Sequence, residues 1–361
     1  MGYQFADTFD NYNNPAMMYS YIVGSPTISS SYTRYPAISG FPNQGIYLPA
    51  GSYIQRGTFG EAYNLIVFLT YGGPLPTSGY CSIFSFSTGP STSNIRCFLA
   101  VTSAGALAFY NYSGTLLATS SNGIIQATSK PSYGIEMQVD FAVGSVQCWL
   151  GGVQVIALTT GISFSGYGAP NVIGVGYAPS IGGTATNIYC DYLRVWDNTG
   201  ANWNTPVKKD VRKLTKLPTG AASISYGIPW NPTPSTNTTW QCVSNNPPLG
   251  NSAFSSSFGT EEALLTGNNC AQESYTMGIA GLSGTTINMV LARSYIEYDY
   301  GINDPFLAFG VSDGHANYYG PSVGPYAQLN AYTFVDSPLY IWSESVLGAV
   351  ADALIFLKLA Q

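Results

Sequence analysis

Ionisable side chains are scarce in this chain: Asp, Glu, Lys and Arg make up 8% of 361 residues, against roughly 25% in an ordinary soluble domain. There is a single histidine, His315. Acid–base catalysis and transition-metal binding both draw on these groups, so the sequence offers little for either. Six cysteines (Cys81, Cys97, Cys148, Cys190, Cys242 and Cys270) are spread without a C-x-x-C pair, which excludes a readable zinc site or dithiol redox motif. They read as reduced core thiols, with a Cys81–Cys97 or Cys242–Cys270 disulfide as the alternative. No apolar run approaches the ~18 residues of a membrane-spanning helix, so no membrane insertion is expected. The start, MGYQFADTFDNYNN, lacks the basic end and apolar middle of a signal peptide. Synthesis and folding in the cytoplasm of the producing cell are expected. A net charge of −6 and a pI near 4.6 argue against nucleic acid as a partner, because neutralising phosphates needs a basic surface.

What the chain does have is aromatic and small polar residues: 14% are aromatic, with 28 tyrosines, and 40 are glycine. A prior of ~150 residues per domain suggests two domains. Turn signals recur about every 8 to 12 residues, and the runs between them alternate with the period of half-buried strands. FLAVTSAGALAFYNY (98–112) reads as a hairpin turning at Ser103-Ala104-Gly105. In IEMQVDFAVGSVQCWLGGVQVIAL (135–158), Met137, Val139 and Phe141 oppose Glu136, Gln138 and Asp140, and glycines turn the chain twice. Three consecutive antiparallel strands follow. IYCDYLRVWD (188–197) reads as one strand, with Tyr189, Asp191, Leu193, Val195 and Asp197 on one face; neither face is purely polar, so it is expected to be covered on both sides.

FADTFDNYN, VQCWLGGVQV and YCDYLRVWDNTG together resemble a LamG-like, concanavalin A-like jelly roll over residues 1–200. Farther on, TPVKKDVRKLTKLPTGAAS…W (205–230), SSSFGTEEALLTG (255–267), TINMVLARSYIEYDYG (286–301) and IWSESVLGAVADALIFLKL (341–359) are similar in order and spacing to two-domain structural proteins of tailed bacteriophages. The chain departs from that pattern where Lys208-Lys209 replaces small residues, and in the nearly uncharged SESVLGAVADAL. The expected architecture is all-β. Two antiparallel β-sandwich (jelly-roll) domains, 1–200 and 221–361, are joined by a basic junction at 201–220, with one short helix at 344–353. Ser343 would cap that helix and Glu344 would sit in its first turn. The resemblance implies a non-enzymatic virion protein on the capsid or tail, packed as a trimer or ring with other virion proteins. The alternatives are a lectin-like module binding host-surface glycan and, third, a glycoside hydrolase.

VKKDVRKLTK (207–216) gathers Lys208, Lys209, Arg212, Lys213 and Lys216, five of the twelve basic residues. A helix would put Val207, Val211 and Leu214 on one stripe; a strand reading also survives. The charge suits a solvated linker or edge strand, or a segment docking onto an acidic neighbour, either this chain's own first domain or another subunit. HANYYGPSVGPYAQLNAY (315–332), with Tyr318, Tyr319, Tyr326 and Tyr332, is the expected contact loop for glycan or partner, since tyrosine buries large area with a polar tip.

Catalytic constellations are incomplete. Asp313 lies two residues from His315 and no G-x-S-x-G elbow exists. Glu136 and Asp140 would stand about 13 Å apart along a strand, beyond the roughly 5 to 9.5 Å of glycoside hydrolysis. Glu297 and Asp299 would be about 6.6 Å apart, but Ile302 stands where a glucanase motif has its last acid. No cofactor is expected; calcium is the one ion that DNYNN (10–14) or Asn303 and Asp304 could take, and both stretches are also ordinary turn formers.

Overall fold

Period-two alternation builds almost everything that follows. The computed structural model describes residues 3–10, 12–35, 43–56, 62–164, 168–199 and 205–209, and seven strands beyond them. The chain divides into two units, Met1–Leu214 and Thr215–Gln361, and the division falls inside the basic junction.

The first unit's strands are, in chain order, β1 (Tyr3–Asp7), β2 (Tyr21–Val23), β3 (Thr27–Ser29), β4 (Gly45–Leu48), β5 (Tyr53–Arg56), β6 (Asn64–Tyr71), β7 (Tyr80–Ser87) and β8 (Ile95–Thr102). They continue with β9 (Leu107–Asn111), β10 (Leu116–Thr119), β11 (Tyr133–Asp140), β12 (Ser145–Leu150), β13 (Val153–Thr159), β14 (Val172–Gly176), β15 (Ile188–Cys190) and β16 (Leu193–Asp197). A six-stranded sheet runs β1-β16-β6-β11-β12-β13 and a seven-stranded sheet runs β10-β9-β8-β7-β14-β5-β2. A third sheet, β15-β4-β3, lies beside them.

The two large sheets are antiparallel throughout and enclose an apolar core. Leu65, Val67, Leu69, Met137, Val139, Leu193 and Val195 from one sheet are buried, as are Phe84, Phe86, Leu99 and Phe109 from the other. Phe86 meets Phe141 edge-on at 5.4 Å, and Phe141 leads through Phe164 to Phe109. First and last strands of the unit pair, β1 against β16, as the jelly-roll resemblance implies. The hairpin at 98–112 and the three strands at 135–158 form where the alternation places them.

IYCDYLRVWD is not one strand. β15 belongs to the third sheet and β16 to the six-stranded sheet, with a break at Asp191-Tyr192. The cause is Thr70, whose hydroxyl accepts the backbone N–H of both Asp191 (2.7 Å) and Tyr192 (3.0 Å) and so takes them out of any ladder. β16 is buried along its whole length, covered on both faces.

The four described cysteines, Cys81, Cys97, Cys148 and Cys190, are free and buried. The Cys81–Cys97 alternative fails on register: Cys81 lies opposite Val101 and Cys97 opposite Phe86. Burial pushes the thiols up, that of Cys190 to about 12, so they sit as small core hydrophobes. Cys242 and Cys270 lie outside the described residues.

The second unit holds β17 (Gly220–Tyr226), β18 (Gln272–Thr276), β19 (Val290–Ile296), β20 (Phe306–Ser312), β21 (Asn317–Tyr319), β22 (Thr333–Leu339) and β23 (Leu354–Ala360). They form an antiparallel five-stranded sheet, β17-β18-β23-β20-β21, and a β19-β22 pair. The helix expected at 344–353 lies outside the described residues.

Candidate functional site: the docked junction and the aromatic surfaces

On its outer face the six-stranded sheet carries one continuous cross-strand row: Arg194, Phe68, Glu136, Trp149 and Gln154 face one another in register. A carboxylate in the middle of such a row needs partners. Glu136 is only 2% exposed, and the junction supplies them. The backbone N–H of Val207 donates to Glu136 Oε1 at 2.8 Å, and that of Lys208 to Oε2 at 2.6 Å. Two successive N–H groups converging on one anion form a small nest. Lys208 reaches that geometry at φ +53°, the left-handed region, a strain of about 1 kcal/mol or more for a residue with a side chain.

The rest of the segment is fitted as closely. Val207 packs on Ile66, Phe68, Tyr192 and Trp196. Trp196 Nε1 donates to the Thr205 carbonyl at 3.3 Å. The Lys208 ammonium lies 5.3 Å from the centre of the Trp149 ring, a contact worth about 0.5–1 kcal/mol at an exposed site. Gly152, in the turn between β12 and β13, is at φ +89°, and a Cβ there would come within 2.7 Å of the Lys208 carbonyl oxygen. The Gly-Gly of VQCWLGGVQV therefore does two jobs, turning the chain and making room for the junction backbone. Beside this, Arg194 is buried with its guanidinium 4.2 Å from the Trp196 ring centre, and its Nε and Nη2 have no hydrogen-bond partner among the described residues.

Burial pushes the Glu136 carboxyl above the usual carboxylate range, against the opposing pull of the Lys208 and Val207 N–H groups and the charges of Arg194 and Lys208. Desolvation wins. A carboxyl raised in the folded state adds stability that is fully present below its unfolded value and is lost as pH rises through the raised one. Glu136→Gln removes that dependence, so the stability of wild type relative to the variant should fall as pH rises from the ordinary carboxylate range through the raised one. Urea midpoints across that range measure it, and a flat difference would contradict the burial of the charge.

Of the five basic residues singled out in the sequence, Lys208 and Lys209 are exposed, while Arg212, Lys213 and Lys216 lie outside the described residues. Neither a helix nor a strand forms over 205–209. The segment is held by its backbone and by Val207, and its described lysines are left toward solvent. Sequence reasoning missed Glu136 as the anchor, although Val207 as an apolar residue amid lysines marked the buried side.

Tyr318 and Tyr319 fall on β21 rather than in a loop, pairing with Val311 and Gly310; Tyr326 and Tyr332 lie outside the described residues. So do His315, Asp313, Glu297, Asp299, Asn303 and Asp304. In DNYNN, Asp10 accepts the Gln44 N–H at 2.6 Å and Asn14 caps the turn at Pro15–Met17. Among the described residues no group of three or more His, Cys, Asp or Glu is placed to hold a metal. Asp140 of the Glu136–Asp140 pair accepts N–H bonds from Ala142 and Val143 and the Asn64 amide.

Three tyrosines from distant positions gather on the third sheet. Tyr47 and Tyr189 are cross-strand partners with rings 5.0 Å apart. Tyr32 lies 5.3 and 5.7 Å from them. All three are half-buried, and burial, then the neighbouring phenols, push the Tyr189 hydroxyl up. Gly45 permits the cluster, since a Cβ there would stand 1.9 Å from the Tyr32 carbonyl oxygen.

No family model matches this chain, and neither does any curated protein. Among solved structures it is similar to the cellulose-induced protein Cip1, at 12% identity and a TM-score of 0.39 over 53% of this chain and 96% of that one. It is also similar to domain 4 of AbnA, a GH43 extracellular arabinanase from Geobacillus stearothermophilus in complex with arabinotriose. There the identity is 15% and the TM-score 0.29, over 48% of this chain and 82% of that one. The Emp46p carbohydrate recognition domain gives 10% identity and a TM-score of 0.30 over 47% and 87%. At these values the function has to be read from the residues themselves.

Proposed function

We propose that this chain is a non-enzymatic structural protein of a tailed-phage virion, displayed on the capsid or tail and working by packing against other virion subunits. The docked junction carries this reading. Its first residues are anchored on the outer sheet of the first unit by Glu136, while Lys208 and Lys209 stay exposed. An anchored strip of positive charge on a chain of net charge −6 suits an acidic surface on a neighbouring subunit, where electrostatic complementarity sets orientation and association rate more than raw affinity. The scarcity of ionisable groups and the motif resemblance in both halves support the same reading.

The test reverses the charge without touching the anchor. Lys209→Glu and Lys213→Glu together, with Lys208 kept because it is part of the anchor, should cut incorporation into particles by about tenfold or more, the scale of one or two lost charge contacts. The isolated protein should keep its far-ultraviolet spectrum. Unchanged incorporation would return the segment to a solvated linker.

A second reading, a lectin-like surface for host glycan, is favoured by the Tyr32–Tyr47–Tyr189 cluster, because half-buried phenols offer both ring faces and hydroxyls to a sugar. A glycan array probed with wild type and with Tyr47→Ala decides it: retained sugar that the variant loses supports this reading, and no retention at any sugar leaves assembly alone.

A further inference from the structure

β13 ends the six-stranded sheet, and among the described residues it pairs only with β12. Its other edge presents free N–H and C=O groups, which is the arrangement that recruits another strand. Natural edge strands are commonly guarded by lysine, proline or an inward charge. This one reads VQVIALT and has none of them. It belongs to a run of fifty residues, 141–190, without one Asp, Glu, Lys, Arg or His. Two register irregularities within the β12–β13 pairing twist the strand; they are the only guard on it.

Two large apolar side chains stand outside along this edge. Val153 is 69% exposed and Leu158 57%. β10, the edge of the opposite sheet, lies on the same flank, and its sequence LLAT is also uncharged, with Leu116 49% exposed. Both sheets thus bring bare edges to one side of the sandwich. The polar side chains behind that edge are also poised for continuation. A one-way amide chain crosses the outer face: Asn64 donates to Asp140 (2.7 Å), Gln138 to Asn64 (3.0 Å), Gln147 to Gln138 (2.8 Å) and Gln154 to Gln147 (3.3 Å). It terminates on β13 at Gln154, which is exposed.

We infer that the β13 edge is a self-association surface, on which a second copy of this chain adds its own β13 antiparallel across a two-fold axis and joins two six-stranded sheets into one. The occupant follows from charge and symmetry. Two copies of a chain carrying −6 meet with least repulsion where the strand itself is uncharged, as β13 is; the nearest charges, Lys208 and Lys209, lie beside Gly152 at its first end. Antiparallel pairing of a strand with its own copy is isologous, so each copy supplies the same apolar side chains and the same backbone groups. A basic or acidic partner would find no charge along the strand itself to meet. The inference goes beyond the assembly role proposed above by naming the surface, and it is tested on purified protein in solution, so its failure leaves the particle experiment standing.

The experiment is sedimentation of the full chain, wild type against Val153→Lys/Leu158→Lys. Both positions are exposed, so the lysines should leave the fold intact, as circular dichroism checks. Asn13→Lys/Asn198→Lys, also at exposed positions, adds the same charge elsewhere. Wild type and the control pair should sediment as dimers at about 10 µM, while the edge pair should dissociate at least about 100-fold more readily. A monomeric wild type at that concentration, or an oligomer that the edge lysines weaken no more than the control pair does, would overturn the inference.

Discussion

Trp196→Ala should cost the first unit about 3–5 kcal/mol, the range for truncating a buried large aromatic, and should release the junction in the same step. Trp196 is 1% exposed and is among the largest fully buried side chains. Its ring supports the Arg194 guanidinium, which has two nitrogens without hydrogen-bond partners among the described residues and so depends on that face. Its indole N–H holds Thr205, and its edge packs with Val207. Trp196→Phe separates these parts: it keeps most of the ring and loses the bond to Thr205, a change of about 0.5–1.5 kcal/mol. Chemical unfolding measures the first quantity, and hydrogen exchange at Val207 and Lys208 measures the second. Equal losses in both variants would mean that ring burial contributes little and that the bond to Thr205, absent from both, carries the effect.

That dependence explains what the sequence could and could not disclose. Alternation and turn residues are local, so the strands at 98–112 and 135–158 were legible, and so was the all-β class. The environment of Glu136 is not local. Its position opposite Met137 and Val139 on the pleat reads as solvent-facing, and the junction at Val207 and Lys208, 71 and 72 positions later, covers it. The break at Asp191-Tyr192 has the same origin, since the hydroxyl that takes both N–H groups belongs to Thr70, more than a hundred positions earlier. The basic junction drew notice for its lysine side chains, yet its main chain makes the anchoring bonds. The tyrosine-rich stretch at 315–332 is visible in the sequence because its four rings fall within eighteen residues. Tyr32, Tyr47 and Tyr189 converge through strand pairing and leave no comparable cluster in the sequence.

Asp7→Ala should be as damaging as any core truncation, with a loss of about 3 kcal/mol or more, because buried donors left without an acceptor cost roughly 1–3 kcal/mol each. Asp7 is fully buried at the end of β1. One oxygen accepts the Phe9 N–H at 2.8 Å; the other accepts the phenols of Tyr12 and Tyr19, the latter at 2.8 Å. Phe9 sits at φ +58°, a conformation costing a side-chain-bearing residue about 1–3 kcal/mol unless its surroundings impose it, and the bond to Asp7 is part of what imposes it. The Phe9 ring then stacks on Tyr19 at 6.4 Å and 15°. In this way the turn that follows β1 through Phe9 is organised by one carboxylate, with Tyr12 and Tyr19 closing on it. Burial, and then the Asp7 charge, raise the Tyr19 phenol well above its ordinary value, so that hydroxyl remains a donor throughout the working range. Tyr12→Phe and Tyr19→Phe each remove one donor along with its need for an acceptor, and should cost only about 0.5–1.5 kcal/mol. Asp7→Asn should fall between these and Asp7→Ala, since it keeps the shape and one acceptor oxygen. Thermal unfolding of the four variants gives the order. If Asp7→Ala lost no more than either phenylalanine variant, the turn would be held by ring packing, and the carboxylate would be its passenger.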